Sequence, residues 1–489
     1  MKKTVKPKAS SALTDILNKK TCKSIRWCTP SIDIDMEKVI RPYKSDMSVS
    51  YTSLGMPSVP SGIFKTMYKK AAKAYGSDNT LFSVNGSTGS NFIVLRALSK
   101  QIPYLKVLAM RNIHKSVLHA CEDYGINLML LPPTIDDKLQ IFLPNTIDEI
   151  VGDLEKVMPD VLLVTNPTYE GVTLDLKTLV KRVRKKFPNI IIFVEEAWGS
   201  HLFFSKKLPL SAMEAGADIC IQSTHKQGGA LQQGGMIHWT KERVNSETLL
   251  DSYESLTTSS PSYILLASLD AARVMMERDG KKKIDTLIAK AAKFSEGIKN
   301  IHGLEIVTKT ELLARNPSVY DRDITKVMVD VSQTGLTGFK IAKVLEETYK
   351  IIVEKYDAKM LLFLTTFQVT DEEIAKTVKA LGAIVASYKG AVRIKKNISI
   401  NIPKTIIKRR EISDIAKLRL DQVEKIPLED AAGRIAAEDI TIYPPGIPIT
   451  IKGEQFTNEM IEYYLKCREY SNCKILSQDN SFKTVIVVK

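Results

Sequence analysis

The sequence predicts an α/β fold with a large, mostly parallel-sheet domain, a smaller α/β domain and a C-terminal domain. Three observations carry this expectation. Between residues 60 and 275, short apolar runs alternate with longer helical patterns, the signature of strands joined by crossover helices. Further on, Ile284, Leu287, Ile288, Ala291, Phe294 and Ile298 fall at helical spacing and lead into a second mixed stretch. Finally, 489 residues, of which 44% are hydrophobic and 26% charged, exceed one core and supply apolar material for two or three.

In chain order, residues 1–60 are an arm without clear periodicity. The large domain (61–280) has expected strands at 107–110, 128–131, 161–164, 190–194 and 219–221. Most of them end in a polar cluster: Arg111-Asn112-Ile113-His114, Thr165-Asn166-Pro167-Thr168, Glu195-Glu196 and Gln222-Ser223-Thr224-His225-Lys226. Ligands of open α/β sheets sit at strand carboxyl ends, so these clusters are expected to converge on one site. The smaller domain (281–390) adds strands at 327–329 and 361–364. The last domain (391–489) is expected to hold a helix containing Glu429-Asp430-Ala431-Ala432-Gly433 and a turn at Pro444-Pro445-Gly446-Ile447-Pro448. No internal repeat is visible.

Composition narrows the function classes. No segment reaches the ~18 uninterrupted apolar residues of a membrane span, and the basic start Met1-Lys2-Lys3 has no apolar run behind it. A cytoplasmic protein without membrane partners is expected. Six dispersed cysteines fit neither a disulfide scaffold nor a metal spacing, so no metal is assigned. The net charge of +15 raises the question of nucleic acid. The basic runs at 181–186 and 281–283 lie on helical patterns without interleaved aromatics, which argues for solvated faces.

Three clusters carry chemistry. Asn85-Gly86-Ser87-Thr88-Gly89-Ser90 precedes an apolar helical pattern, and small residues at a helix amino terminus present N–H groups to a phosphate or serve as an ordinary cap. Glu195 and Glu196 emerge from a five-residue apolar run, either as solvated charges or with one carboxylate turned towards a cationic ring nitrogen. Lys226 follows hydroxyl residues and precedes glycines at a strand end, which fits a lysine beside a phosphate-bearing carbonyl cofactor.

Together these segments resemble the ornithine/lysine/arginine decarboxylase family of fold-type I pyridoxal 5'-phosphate (PLP) enzymes. The resemblance runs from Ser61-Gly62-Ile63 to Tyr443-Pro444-Pro445-Gly446-Ile447-Pro448-Ile449. It is most specific at Leu208-Pro209-Leu210-Ser211-Ala212-Met213-Glu214-Ala215-Gly216-Ala217-Asp218, at Ser223-Thr224-His225-Lys226 and at Thr257-Thr258-Ser259-Ser260-Pro261. It implies that Lys226 is the Schiff-base lysine, that His114 stacks on the pyridine ring and that Glu195 pairs with the ring nitrogen. It places Ser87, Thr88, Gly89, Ser223 and His225 around the phosphate and Trp198 at a position taken by His or Trp. Thr258 would reach the phosphate of a neighbouring subunit, implying a homodimer or larger homo-oligomer. The implied reaction is decarboxylation of arginine, lysine or ornithine, with Glu354 and Asp357 as candidates for the substrate's distal cation.

The chain departs from the family pattern at three places. Glu195 stands where the family usually has Asp. Gln233-Gly234-Gly235 replaces a hydroxyl-bearing segment. The family's amino-terminal Pro-Gly-His-Lys has no counterpart, and only Cys28-Thr29-Pro30-Ser31 is found. Transamination, oxidative deamination or a non-catalytic role therefore stand beside decarboxylation as readings.

Overall fold

The computed structural model describes residues 24–32, 50, 52–388, 400–443, 446–470 and 472–489. Its centre is a seven-stranded sheet in the order Asn79–Ser83, Gly235–Trp239, Ile219–Gln222, Ile191–Glu195, Val161–Thr165, Lys106–Ala109, Asn127–Leu130. The last five pair in parallel, and Gly235–Trp239 runs antiparallel to both of its neighbours. The five expected strands are all present. Each is nearly continuous in Val, Ile and Leu because apolar side chains cover both faces of a parallel sheet.

The two strands missing from the sequence reading, Asn79–Ser83 and Gly235–Trp239, mix apolar with polar or glycine residues. Their pairing is set by the sheet rather than by local pattern. The Gly234-Gly235 departure now has a packing cause. A Cβ on Gly235 would lie 3.1 Å from the Gln222 carbonyl oxygen and from the Gly86 carbonyl carbon, and one on Gly234 would lie 3.0 Å from the Leu231 oxygen.

The 36-residue helix Tyr263–Ile298 leads from this sheet into the second unit. Its expected apolar positions Ile284, Leu287, Ala291, Phe294 and Ile298 are buried. The second unit is an antiparallel sheet ordered Glu305–Ile306, Lys326–Asp330, Met360–Leu364, Lys355–Tyr356. The arm is not a bystander. Ile25–Trp27 pairs in parallel with Ile351–Val353, and the fully buried Trp27 donates from Nε1 to Thr377 Oγ1 at 3.0 Å. The Trp27 ring lies 4.3 Å from that of Phe294 and 5.6 Å from that of Phe363, so one aromatic ties the arm to a helix and a strand of this unit.

In the C-terminal part, Val423–Pro427 pairs with Thr484–Val488, and Ile440–Tyr443 lies between Ile447–Thr450 and Lys474–Leu476. The helix expected at 429–433 is instead a 3-10 turn, Leu428–Asp430. Gly433 N donates to Phe456 O at 2.9 Å and Ala436 N to Glu454 O at 2.8 Å, so cross-chain bonding replaces a helical ladder there. Gly433, at φ +80°, also sits in the left-handed region. Gly446 closes the hairpin, and Pro444 and Pro445 of the expected turn lie outside the described residues.

The basic helix Leu176–Lys186 turns its charged side chains outward, and several are ion-paired, including Arg182 with Asp148 at 2.6 Å. Among the described residues no helix is long and apolar enough to cross a membrane, and no group of metal-ligating side chains forms.

Trp27→Ala should lower the stability of the second unit by about 3–5 kcal/mol, read as an earlier first transition in urea. An unchanged first transition would show that the arm is not bound as described.

Candidate active site

The parallel register aligns Thr165, Glu195 and Ile221 at the carboxyl edge of the large sheet. Successive strand residues face opposite sides, so Glu195 and Glu196 part company. Neither is solvated: Glu195 is 5% exposed and Glu196 fully buried. Glu196 accepts from Ala212 N at 2.7 Å, from Gln222 Nε2 at 2.6 Å and from the Cys220 thiol at 3.4 Å. Burial pushes its carboxyl up to about 8 against those bonds, and its role is to tie the sheet together.

Glu195 turns into the site. Burial raises its carboxyl, opposed by the ammonium of Lys226, the His114 N–H and the Asn91 amide. Its Oε2 is buried without a hydrogen-bond partner. An orphaned carboxylate oxygen at a strand end is costly unless something is meant to meet it.

Lys226 lies on the short helix Thr224–Gln227 that follows strand Ile219–Gln222. Its Nζ sits 4.0 Å from the centroid of the buried Trp198 ring. Burial lowers this lysine to about 8, while Glu195 and Glu354 resist the shift. The arm covers it, with Ser31 N donating to Lys226 O at 3.1 Å. Cys28-Thr29-Pro30-Ser31, which stands in place of the missing amino-terminal motif, therefore reaches the lysine through Ser31.

The loop before helix Gly86–Gln101 faces the same place. Gly86 adopts φ +59°, and a Cβ there would be 3.7 Å from His225 Cε1, so the helix start and the lysine turn are neighbours. Ser87 Oγ is 2.6 Å from Ser223 Oγ, and His225 Nδ1 is 2.8 Å from Gly234 O. Burial lowers His225 to about 4. Ser87 and Gly89 are buried, whereas Thr88 is exposed on the outer side of the helix. A Cβ on Gly89 would come within 2.7 Å of Asn85 Cβ, so glycine lets the first turn close on its cap residue.

His114 caps helix Lys115–Asp123, its Nδ1 accepting from Ser116 N at 3.2 Å. Burial, with Lys226 and Lys115 adding to it, lowers the imidazole to about 3, so it is neutral with its proton on Nε2. Asn91 Nδ2 donates to Ser116 Oγ at 2.9 Å, linking His114 to the residue that supports Glu195. The C-terminal part closes this side. A Cβ on Gly446 would lie 3.2 Å from His114 Nε2, and Arg111 donates to Pro448 O at 2.7 Å and Ile449 O at 3.0 Å.

Of the two acids considered for a distal cation, Glu354 faces the cluster and accepts from Tyr169 Oη at 2.6 Å and Thr29 N at 2.8 Å. Asp357 instead accepts from Lys359 N and Met360 N, each at 2.9 Å, and fixes a turn. Thr258 is exposed, its Oγ1 3.2 Å from Ser260 Oγ, and it touches none of the residues above.

Sequence reasoning missed Tyr169, His201, Asp323 and Lys326. The Lys326 Nζ lies 3.7 Å from the same Trp198 ring, and Tyr169 packs edge-on against that ring at 4.7 Å. A charged residue directly before the apolar run Val327-Met328-Val329 was the available signal.

Comparisons with known proteins place the chain in a family. The family profile "Orn/Lys/Arg decarboxylase, major domain" matches residues 41–373, and "Orn/Lys/Arg decarboxylase, C-terminal domain" matches residues 398–474. The chain is 34% identical over 468 residues to an arginine decarboxylase of Halalkalibacterium halodurans, covering 93% of this chain and 92% of that one. An arginine decarboxylase of Bacillus subtilis is 35% identical over 83% of this chain and 81% of its own length. Among solved structures, the constitutive lysine decarboxylase of Escherichia coli superimposes with a TM-score of 0.76 at 22% identity, over 91% of this chain and 75% of that one. The expected fold class is thereby borne out. Matched along most of its length to both domains, this chain is an enzyme of the ornithine/lysine/arginine decarboxylase family.

Proposed function

We propose that the enzyme binds PLP through Lys226 and decarboxylates arginine, lysine or ornithine to the corresponding amine. The observation that carries this reading is the half-buried Lys226, electrostatically coupled to the buried Glu195 whose Oε2 is unpartnered, at the carboxyl edge of a parallel sheet.

The residues fit the cofactor. The start of helix Gly86–Gln101, with Ser87, Ser223 and His225, suits a phosphate. His114 offers a neutral ring for stacking, and Glu195 a carboxylate for a protonated ring nitrogen. Bound PLP would supply an aldehyde for the substrate amine and a conjugated ring that takes up the electrons left when carbon dioxide departs.

The chain's own groups then have defined tasks. Lys226, lowered towards neutral pH, is a nucleophile and a proton carrier. Glu195 holds charge beside it in a water-poor site, where electrostatic preorganisation is strongest. Tyr169 and Thr29 fix Glu354, which with Glu195 acts on the lysine's charge. Thr258, exposed on its loop, is free to enter a neighbouring copy, consistent with a homodimer. Transamination or oxidative deamination rested partly on Gly234-Gly235, and the packing of those glycines removes that support.

With PLP added, at least one of arginine, lysine and ornithine should yield carbon dioxide and its amine. No amine from any of the three defeats the proposal, and keto acid without carbon dioxide favours the deaminating alternative. Lys226→Ala should abolish the visible absorbance of the loaded protein and the mass adduct fixed by borohydride.

Because Lys226 reacts as the free amine, the rate of cofactor attachment should climb as pH rises through about 8. Glu195 favours the charged lysine, so Glu195→Gln should shift that climb to lower pH. The same variant should reduce kcat by about 10²-fold, checked by stopped-flow attachment and steady-state rates.

A further inference from the structure

Lys326 is fully buried, yet among the described residues no carboxylate lies within ion-pair distance of it. Its Nζ donates to one acceptor, Tyr169 O at 2.6 Å, and lies 3.7 Å from the centroid of the Trp198 ring, with donor capacity left over. Three acids are near enough to act on it electrostatically, and each is held by something else. Asp323 is 3.1 Å from His201 Nε2 and accepts from Thr325 N and Oγ1 at 2.9 and 2.7 Å. Glu354 accepts from Tyr169 Oη and Thr29 N. Glu170 accepts from Lys355 Nζ at 2.6 Å.

Buried lysines normally persist because an acid pairs with them directly. Here burial, with Lys226 adding to it, lowers the lysine to about 7 while Asp323, Glu354 and Glu170 oppose the shift; a direct acid partner is missing, and the Nζ lies over the indole that also faces Lys226. A purely structural lysine, tying down the Tyr169 carbonyl, would need neither that shared ring nor the diversion of all three acids.

We infer that Lys326 is the group that recognises the α-carboxylate of the substrate. This rests on the amino-acid reading above and deepens it. An α-amino acid carries its carboxylate one carbon from the nitrogen that reacts, so an amine delivered to the place of Lys226 brings an anion to the neighbouring cation. Lys326 thus makes the site selective for amino acids over the amines that lack the carboxylate. Its contribution is to binding more than to turnover, because it pairs with the ground-state carboxylate.

The test compares matched ligands on the PLP-loaded protein: arginine with agmatine, lysine with cadaverine, ornithine with putrescine. Affinity is taken from the first rapid spectral change, so that turnover is not needed as the readout. In Lys326→Met the amino acid should bind roughly 100-fold more weakly while the amine is held as before, and Lys326→Arg should recover most of the loss. KM should rise far more than kcat falls. Acetate added to the native enzyme should compete with the amino acid and not with the amine, a measurement that needs no variant.

Equal weakening of acid and amine, no weakening of either, or acetate competing with both or neither would overturn the assignment. Absence of carbon dioxide from the native enzyme would count against decarboxylation alone, since the binding comparison reads Lys326 directly.

Discussion

Charge compensation at a buried sheet edge is the constraint on which the rest of this structure depends. Lys326 and Glu195 are buried and Lys226 and Glu354 half-buried beside them, and charges so placed are expensive to hold alone. Their mutual field makes the arrangement tolerable, and both lysine Nζ atoms lie over the Trp198 ring. The surrounding architecture follows from this need. The parallel register brings Glu195 level with Thr165, the second sheet delivers Lys326 at the start of a strand, and the arm supplies a backbone N–H to Glu354.

Much of the large domain was legible because a parallel strand covered on both faces writes itself as an apolar run. The polar residues ending those runs then mark the site. Lys226, and the clusters holding His114, Ser223 and the Glu195-Glu196 pair, were readable in this way, whereas the choice of Glu195 over Glu196 and the roles of His114 and Trp198 followed from the family resemblance. What was not legible belongs to long-range packing. Asn79–Ser83 and Gly235–Trp239 become strands because an antiparallel insertion completes the sheet, and nothing in their local pattern demands it. Lys326 looked like one basic residue among 70. Only the fold shows that its ammonium is turned inward and lacks a direct acid partner.

The amino-terminal arm shows the same limit from the other side. Read locally, residues 1–60 have no periodicity, and the strand Ile25–Trp27 among the described ones is too short to show any. The burial of Trp27 between Phe294 and Phe363 supplies the anchor, and Cys28 to Ser31 follow it over Lys226. Glu196 is the converse case: a carboxyl next in sequence to the functional one, yet facing the opposite side of the strand and serving the sheet alone.

The site also spans unusually distant parts of the chain. Thr29 meets Glu354 across 325 positions, and Arg111 meets Pro448 across 337. Closing such contacts consumes chain entropy before any local gain returns, so they form late on the folding route. The large sheet can assemble while the arm and the C-terminal hairpin are still undocked. Catalytic competence is therefore the last property the chain acquires as it folds and the first it loses when its ends loosen.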